Sequence, residues 1–286
     1  MSLKIGITGS TGVVGSDLKK KIKKNISVFK GDITKKNDVY HWIKSNKFKS
    51  IYHLAAVVPI KEFNRGKKKG LKVNYTGTKH LVDAIIKFQS KNLWFFYSST
   101  SHVYNLFNKN YKIKETDACK PQNSYGHSKK LAEDYIIEKF SKFKYNYTIG
   151  RIFSLAHKNQ KESYFIPSII KRLIKSKKND FNEFFNVNHY RDFLTTKDII
   201  SAIIMLGKKK KLGIYNIGSG QKILLIDIIY YFNKFLKKKI KINLNNKASY
   251  LIANNSKLKK IGWKPKYNFF SELHNILRYK KIKIRQ

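Results

Sequence analysis

An apolar run, Leu3-Lys4-Ile5-Gly6-Ile7-Thr8, passes directly into Gly9-Ser10-Thr11-Gly12-Val13-Val14-Gly15. A stretch follows with Leu18 and Ile22 on one helical face and lysines on the other. The pattern predicts strand, glycine turn and helix in that order, which commits the chain to an α/β fold. Gly9 allows the tight turn, Gly12 lets the backbone come close to a ligand, and Gly15 permits close packing of helix on strand. The amides of Val13 and Val14, with Thr11 in the same turn, then face outward from a helix N-terminus. That arrangement holds the pyrophosphate of a dinucleotide. An ordinary glycine-rich turn is the alternative, and the position straight after the first strand argues against it.

Ile26 to Phe29 reads as a second strand leading into Lys30-Gly31-Asp32-Ile33-Thr34. An acid ending this strand selects NAD by binding the ribose hydroxyls; Lys30 here leans towards a 2′-phosphate. Asp32, with Ile33 beside it, either accepts a hydrogen bond from the adenine amino group or caps a turn. A polar helix is expected over 36–46 and a third strand over Ser50–Leu54. That strand ends in His53-Leu54-Ala55-Ala56, whose small residues leave room for a cofactor at the sheet edge. Pro59 to Gly70 reads as a basic irregular segment, and 73–90 as a long helix. Leu93 to Tyr97 is an apolar strand running into Ser98-Ser99-Thr100-Ser101-His102-Val103-Tyr104, a cluster of hydroxyls placed to bind a ligand or merely to end the strand.

Tyr125-Gly126-His127-Ser128-Lys129 places a phenol and an ammonium four positions apart, on one face of a helix. A cation beside Tyr125 would lower its pKa and fit it to pass a proton to or from a sugar hydroxyl or carbonyl near neutral pH. In a chain rich in both residues, a surface Tyr and a solvated Lys are the alternative.

The 286 residues suffice for one large α/β domain, or a nucleotide-binding domain with a smaller lobe. Cys119 is the single cysteine, so no intrachain disulfide forms. The start on an apolar strand, and the lack of an apolar run of about 18 residues, fit a cytoplasmic protein without a membrane span. The formal charge of +44 raises nucleic-acid binding as a role. Only Arg65, Arg151, Arg172, Arg191, Arg278 and Arg285 are arginines, however, and the lysines run from end to end. Base and phosphate recognition draws on the arginine fork. We read the charge as compositional, with no specific nucleic acid expected and with steering of anionic ligands as a side effect. The scattered histidines and lone cysteine indicate no metal site.

Thr8–Gly15, Asp32, His53–Ala56, Asn74-Tyr75-Thr76-Gly77-Thr78, Ser98–Tyr104 and Tyr125–Lys129 follow one another at spacings that resemble the extended short-chain dehydrogenase/reductases, specifically the NAD-dependent epimerase/dehydratase group acting on nucleotide sugars. Arg191-Asp192-Phe193 with Asp198, Tyr215-Asn216-Ile217-Gly218-Ser219-Gly220 and Gly262-Trp263-Lys264-Pro265 extend the likeness over nearly the whole chain. The resemblance implies a doubly wound parallel Rossmann sheet over 1–155 and a smaller C-terminal α/β substrate lobe over 156–286, with elements near 190–220 interleaving. It implies NAD or NADP lying along Gly9, Thr11, Gly12, Val13, Val14, Gly15, Asp32, Ile33, Leu54, Ala55, Ala56 and Ser98, and contacting Tyr125 and Lys129. Tyr125 becomes the acid/base and Lys129 the ribose ligand. Thr100, with Ser99 as runner-up, becomes the hydroxyl that binds the sugar C4 oxygen. Substrate contacts extend to Ser101, His102, Ser154 and Arg191, and a homodimer is expected.

Departures narrow the chemistry. The group's 4,6-dehydratases carry Asp-Glu after the Thr; Ser101 and His102 stand here, so removal of water is not expected. His102 is either a substrate contact or auxiliary acid, or a packed strand-end histidine. Arg151-Ile152-Phe153-Ser154-Leu155-Ala156-His157 has lost the Asn, Tyr, Gly and Pro of the group's pattern, with Ser154 at the Asn place. Arg191 grips the diphosphate or pairs with Asp192. The short first half is closest to 4-keto-sugar reductases and epimerase–reductases. The expected function is hydride transfer at sugar C4, by a reductase or an epimerase. A non-catalytic NAD(P)-sensing or nucleic-acid-associated module on the same fold is the alternative. Downstream, helices are predicted at Ser163–Lys175, Thr196–Leu206, Ile223–Leu236 and Phe269–Tyr279, with short strands at Ile240–Leu244 and Ser249–Ile252 and a frayed basic tail over Lys280–Arg285.

Overall fold

The computed structural model describes residues 3–58, 60–177, 180–244 and 247–280. Its first half alternates strand with helix: β1 (Lys4–Thr8), α1 (Val13–Ile22), β2 (Ile26–Val28), α2 (Lys36–Lys44), β3 (Phe48–His53), the short α3 (Ile60–Arg65) and α4 (Lys67–Leu71), a π-helical turn (Lys72–Thr76), α5 (Gly77–Phe88), β4 (Trp94–Thr100), β5 (Lys112–Ile113), α6 (Ser124–Phe143) and β6 (Asn146–Ile152). Crossover helices return the chain to the same end each time, so the strands they join run parallel.

The second half supplies β7 (Ser154–Ala156), α7 (Phe165–Lys175), β8 (Phe181–Phe185), β9 (Tyr190–Arg191), β10 (Phe193–Thr195), α8 (Thr196–Lys208), β11 (Gly213–Ile217), β12 (Ile223–Leu224), α9 (Leu225–Leu236), β13 (Lys239–Asn243), β14 (Tyr250–Ala253), α10 (Ser256–Lys260) and α11 (Phe269–Tyr279). Strand β11 pairs with β6 and completes a six-stranded sheet of order β2-β1-β3-β4-β6-β11, parallel throughout.

This is a doubly wound Rossmann-like sheet. Both faces are covered, which is why β4 reads as an uninterrupted apolar run: Trp94, Phe95, Phe96 and Tyr97 are all buried. On one face Ile43 of α2, Leu81 and Ile85 of α5, and Ile136 and Phe140 of α6 form a single core. On the other, Leu18 of α1 packs with Ile199, Ile203 and Leu206 of α8 and with Trp263. A separate core joins α7, α9 and α11. The winding reverses between β1 and β3, and the crevice at the carboxyl ends of those strands is where such sheets bind ligands.

Three expectations are corrected. The 60–70 stretch is two short helices, because Phe63 buries itself and Gly70 lies against its ring. The helix expected over 73–90 opens with the π-helical turn and ends at Phe88. Ile223–Leu236 splits, since Ile223–Leu224 pairs antiparallel with β9 before α9 begins. The stretch from Tyr215 to Gly220, quoted only as a motif, begins with the last residues of β11. Pro59 and residues 281–285 of the tail lie outside the described residues.

Candidate active site

The glycine turn fits a pyrophosphate. Gly9 has φ +69°, a left-handed conformation, and a Cβ there would strike the Leu54–Ala55 backbone. Gly15 sits against the Gly9 carbonyl, with no space for a side chain. Gly12 caps α1 and a Cβ there would meet only the Gly9 oxygen, at 3.4 Å, so its outer side is open. Helix α1 has neither a side-chain cap nor an acid in its first turn. The amides of Val13 and Val14 are therefore left for an anion.

The next wall is fixed by a buried histidine. Thr78 Oγ1 donates to the Asn74 carbonyl at 2.7 Å, so it accepts from His53 Nε2 at 2.9 Å. His53 Nδ1 then accepts from Thr8 Oγ1 at 2.7 Å. Burial, helped by the charge of Lys129, pushes His53 down to about 3 and keeps it neutral. The Leu54 amide bonds the Thr8 carbonyl and the Ala55 amide its hydroxyl, so 54–56 crosses the tip of β1 half-buried. Asn74 ties this loop to α6: its Oδ1 accepts from the Val57 amide at 2.8 Å and its Nδ2 donates to Ser128 Oγ at 3.1 Å.

Helix α6 begins at an Asn123 cap, whose Oδ1 accepts from the Gly126 amide at 2.8 Å. A Cβ on Gly126 would overlap the His102 carbonyl, so only glycine lets α6 seat on the Ser101–Val103 turn. That seating brings Tyr125 to the end of β4, where it stands beside Thr100. Phe63 and His102 flank the ring at 6.2 and 6.0 Å between centroids. Tyr164, capping α7, stands close enough to couple electrostatically with Tyr125. Ser163 Oγ donates to Glu62 at 2.6 Å, joining the segment before α7 to α3. Thr100 and Tyr125 thus come together as expected, with Ser98 half-buried and Ser101 buried on the same strand end.

The ionisation differs from expectation. Burial pushes the Tyr125 phenol up to about 12, with only the neighbouring Thr100 hydroxyl opposing. Lys129 does not lower it. Burial pushes Lys129 itself down to about 7 against the pull of Glu133, and its ammonium lies 4.2 Å from the Tyr97 ring centroid. Burial and the Arg191 charge hold His102 near 4, which makes it neutral and unsuited as an acid near pH 7. Ser99 is occupied elsewhere, donating a hydrogen bond to Glu133.

Arg191 does not pair with Asp192. That carboxylate accepts from the Ser219 amide and hydroxyl and from the amides of Gly220 and Ala253. Arg191 donates to the carbonyls of Tyr190 and Ser249 and to Ser249 Oγ, without a carboxylate partner among the described residues. Ser154 heads β7, its amide bonded to the Asp192 carbonyl at 2.9 Å. Asp32 is held in its own turn, its Oδ1 accepting from the amide and hydroxyl of Thr34 at 2.9 and 2.8 Å; these bonds lower its pKa. The alternative of a capped turn is the one observed. Phe63, Tyr164 and Glu133 were not read from sequence. Glu133 could have been, since it lies four and eight positions beyond Lys129 and Tyr125 on the same helical face.

Residues 7–276 match the model of the GDP-mannose 4,6 dehydratase family. The GDP-6-deoxy-D-mannose reductase of Pseudomonas aeruginosa is 28% identical over 178 residues, 60% of this chain and 58% of that one. The ADP-L-glycero-D-manno-heptose-6-epimerase of Fusobacterium nucleatum is 27% identical over 48% of this chain and 46% of its own, so the chain spans about half the length of these curated relatives. Among solved structures, RMD from Pseudomonas aeruginosa complexed with NADPH superposes with a TM-score of 0.85 at 22% identity, covering 97% of this chain and 98% of that one. The Thermus thermophilus UDP-glucose 4-epimerase complexed with NAD gives 0.85 at 16%, covering 97% and 99%. At these identities the structural likeness is one of fold. With its glycine turn, its Tyr125/Lys129 helix and a family match over most of its length, the chain belongs to the NAD-dependent epimerase/dehydratase family of extended short-chain dehydrogenases/reductases, whose cofactor is NAD(P).

Proposed function

We propose that the protein is an NAD(P)-dependent nucleotide-sugar oxidoreductase acting at sugar C4, as a 4-keto-sugar reductase or an epimerase. The observation that carries this reading is the pair of buried side chains Tyr125 and Thr100 brought together at the crevice, with no carboxylate at positions 101 and 102. Bound NAD(P) supplies or accepts the hydride at C4. Tyr125, protonated at neutral pH, gives its proton to the C4 oxygen as the carbonyl becomes an alcohol, and takes it back in the reverse direction. Thr100 orients that oxygen. Lys129 and Ser98 border the ribose. Arg191, a half-buried guanidinium with no carboxylate partner among the described residues, suits the substrate diphosphate; burial pushes it down to about 10, a cost that an arriving anion removes. Ser101, His102 and Ser154 complete the sugar pocket.

The test is a panel of UDP-, dTDP- and GDP-linked sugars: 4-keto-6-deoxy sugars with NADH or NADPH, followed by nicotinamide absorbance, and 4-hydroxy sugars with NAD, followed by chromatographic separation of the C4 epimers. One sugar is expected to turn over, and Tyr125→Phe to slow it by roughly 10²- to 10⁴-fold with the fold intact. If no sugar reacts, or if the Phe variant runs at the parent rate, the reading fails. NAD retained through purification marks an epimerase, which regenerates its cofactor each cycle; net consumption of reduced cofactor marks a reductase.

A further inference from the structure

The sheet has a single strand, β2, beyond β1. A dinucleotide whose pyrophosphate lies at the α1 N-terminus, with its nicotinamide end towards Tyr125 at β4, directs its adenosine half towards β2. There the chain forms a cleft of about 410 Å³ lined by Asp32, Thr34, Lys68, Lys69, Lys72 and Val73. One wall is the turn after β2; the other is α4 and the π-helical turn. The walls are fixed to each other, because Gly77 abuts Ile33 so closely that a Cβ would come within 2.9 Å of the Ile33 side chain. Phe63 anchors α4 from beneath, beside Tyr125.

The charges in the cleft are not balanced within it. Asp32 spends its Oδ1 on Thr34. Lys68, Lys69 and Lys72 enter no ion pair among the described residues. Three ammonium groups against one carboxylate leave a formal +2 (3 − 1), which matches a phosphate dianion and is wasted on a neutral ribose hydroxyl. Lys30, the residue the sequence pointed to, does not line the cleft. Lysines cover much of this chain, but these three stand opposite the strand end that faces the adenosine ribose.

We propose that Lys68, Lys69 and Lys72 bind the 2′-phosphate of NADP(H) and make this chain select it over NAD(H). The assignment rests on the dinucleotide site described above. It needs no sugar substrate to test: nicotinamide fluorescence reports binding of NADPH and NADH directly, and 2′,5′-ADP serves as a competitor against 5′-AMP. NADPH is expected to bind about tenfold or more tightly than NADH, and Lys68→Ala/Lys69→Ala/Lys72→Ala to weaken NADPH by about tenfold while NADH stays within about twofold. A control, Lys259→Ala/Lys260→Ala/Lys264→Ala, removes the same charge from exposed positions elsewhere and should leave both affinities unchanged. Circular dichroism verifies that both triples fold. Equal affinity for the two cofactors overturns the selectivity. Equal weakening by both triples reduces the effect to long-range charge and overturns the site. Should neither cofactor bind the parent protein, the dinucleotide reading itself falls and the assignment with it, a result distinct from NADH binding as well as NADPH.

Discussion

Lys129 is a side chain in conflict with its surroundings near the site. It is 2% exposed, packed on the Tyr97 ring, and faces a Glu133 that is already engaged by Arg151 and Ser99. Its pKa in the folded chain is about 7 against 10.5 for the free side chain. Below pH 7 both folded and unfolded states carry the proton, and the folded state bears the full cost of the buried charge. Between 7 and 10.5 the unfolded chain binds more protons, so stability rises with pH; above 10.5 the penalty is gone. Lys129→Met should therefore be more stable than the parent by roughly 2–4 kcal/mol at pH 6, with the gap closing as pH rises towards 10.5. Urea midpoints across that range check this, and a gap independent of pH would remove the buried charge as its cause. The same conflict explains why Y-x-x-x-K was only half legible. Helical spacing does put Tyr125 and Lys129 on one face, but it carries no information on burial, which raised the phenol and lowered the amine.

Between elements, β4, α6 and β6 are tied by one ionic cluster. Glu133 on α6 accepts from Arg151 Nη2 at 2.7 Å and Nε at 3.1 Å, and from Ser99 on β4; Arg151 Nη1 reaches Tyr104 at 2.8 Å, whose hydroxyl donates to Asn216 after β11's midpoint. Glu133→Ala leaves a buried guanidinium without its carboxylate and should cost about 3–5 kcal/mol, whereas adding Arg151→Met should recover much of that loss. Chemical denaturation of the single and double variants measures it; a double variant no better than the single would place the cost in packing instead. Such a pair was closed to sequence reading, since nothing in the spacing of 133 and 151 says that α6 and β6 meet. What was open was the periodic part. The continuous apolar run of β4, the glycine turn after β1 and the positions of α7, α8 and α11 were all readable, because burial on a regular element imprints a regular pattern. The two- and three-residue strands β7, β9, β10 and β12 exist through partners distant in sequence and leave no such imprint. Likewise the Asp192 and Asp198 motifs were recognised without their work being visible: one gathers the amides of 219, 220 and 253, the other those of Lys266 and Tyr267, pinning the segment after Trp263 onto α8.

At the scale of the whole molecule, 61 basic residues face 17 acidic ones. Only six lysine or arginine ion pairs form among the described residues, and the buried Arg151–Glu133 pair is one of them, so the surface lysines are overwhelmingly without a carboxylate partner. Their mutual repulsion opposes compaction, while their field draws in anions, which both a dinucleotide and a nucleotide sugar are. Added salt acts on the two effects in opposite directions. Raising ionic strength from about 0.01 M to about 0.15 M shortens the screening length from about 30 Å to about 8 Å. The repulsion should weaken, raising Tm by a few degrees, in the range of about 2–4 °C per kcal/mol for a chain of this size. Over the same interval the association rate of NADPH should fall, since steering is screened, and any binding of duplex DNA should drop steeply towards nothing at physiological salt. Differential scanning fluorimetry and stopped-flow fluorescence follow the first two. A Tm that falls as salt is added would mean that attractive pairs, not repulsion, dominate this surface. DNA affinity that survives the same salt with sequence preference would turn the lysines from a solvated coat into a recognition surface and reopen the nucleic-acid role.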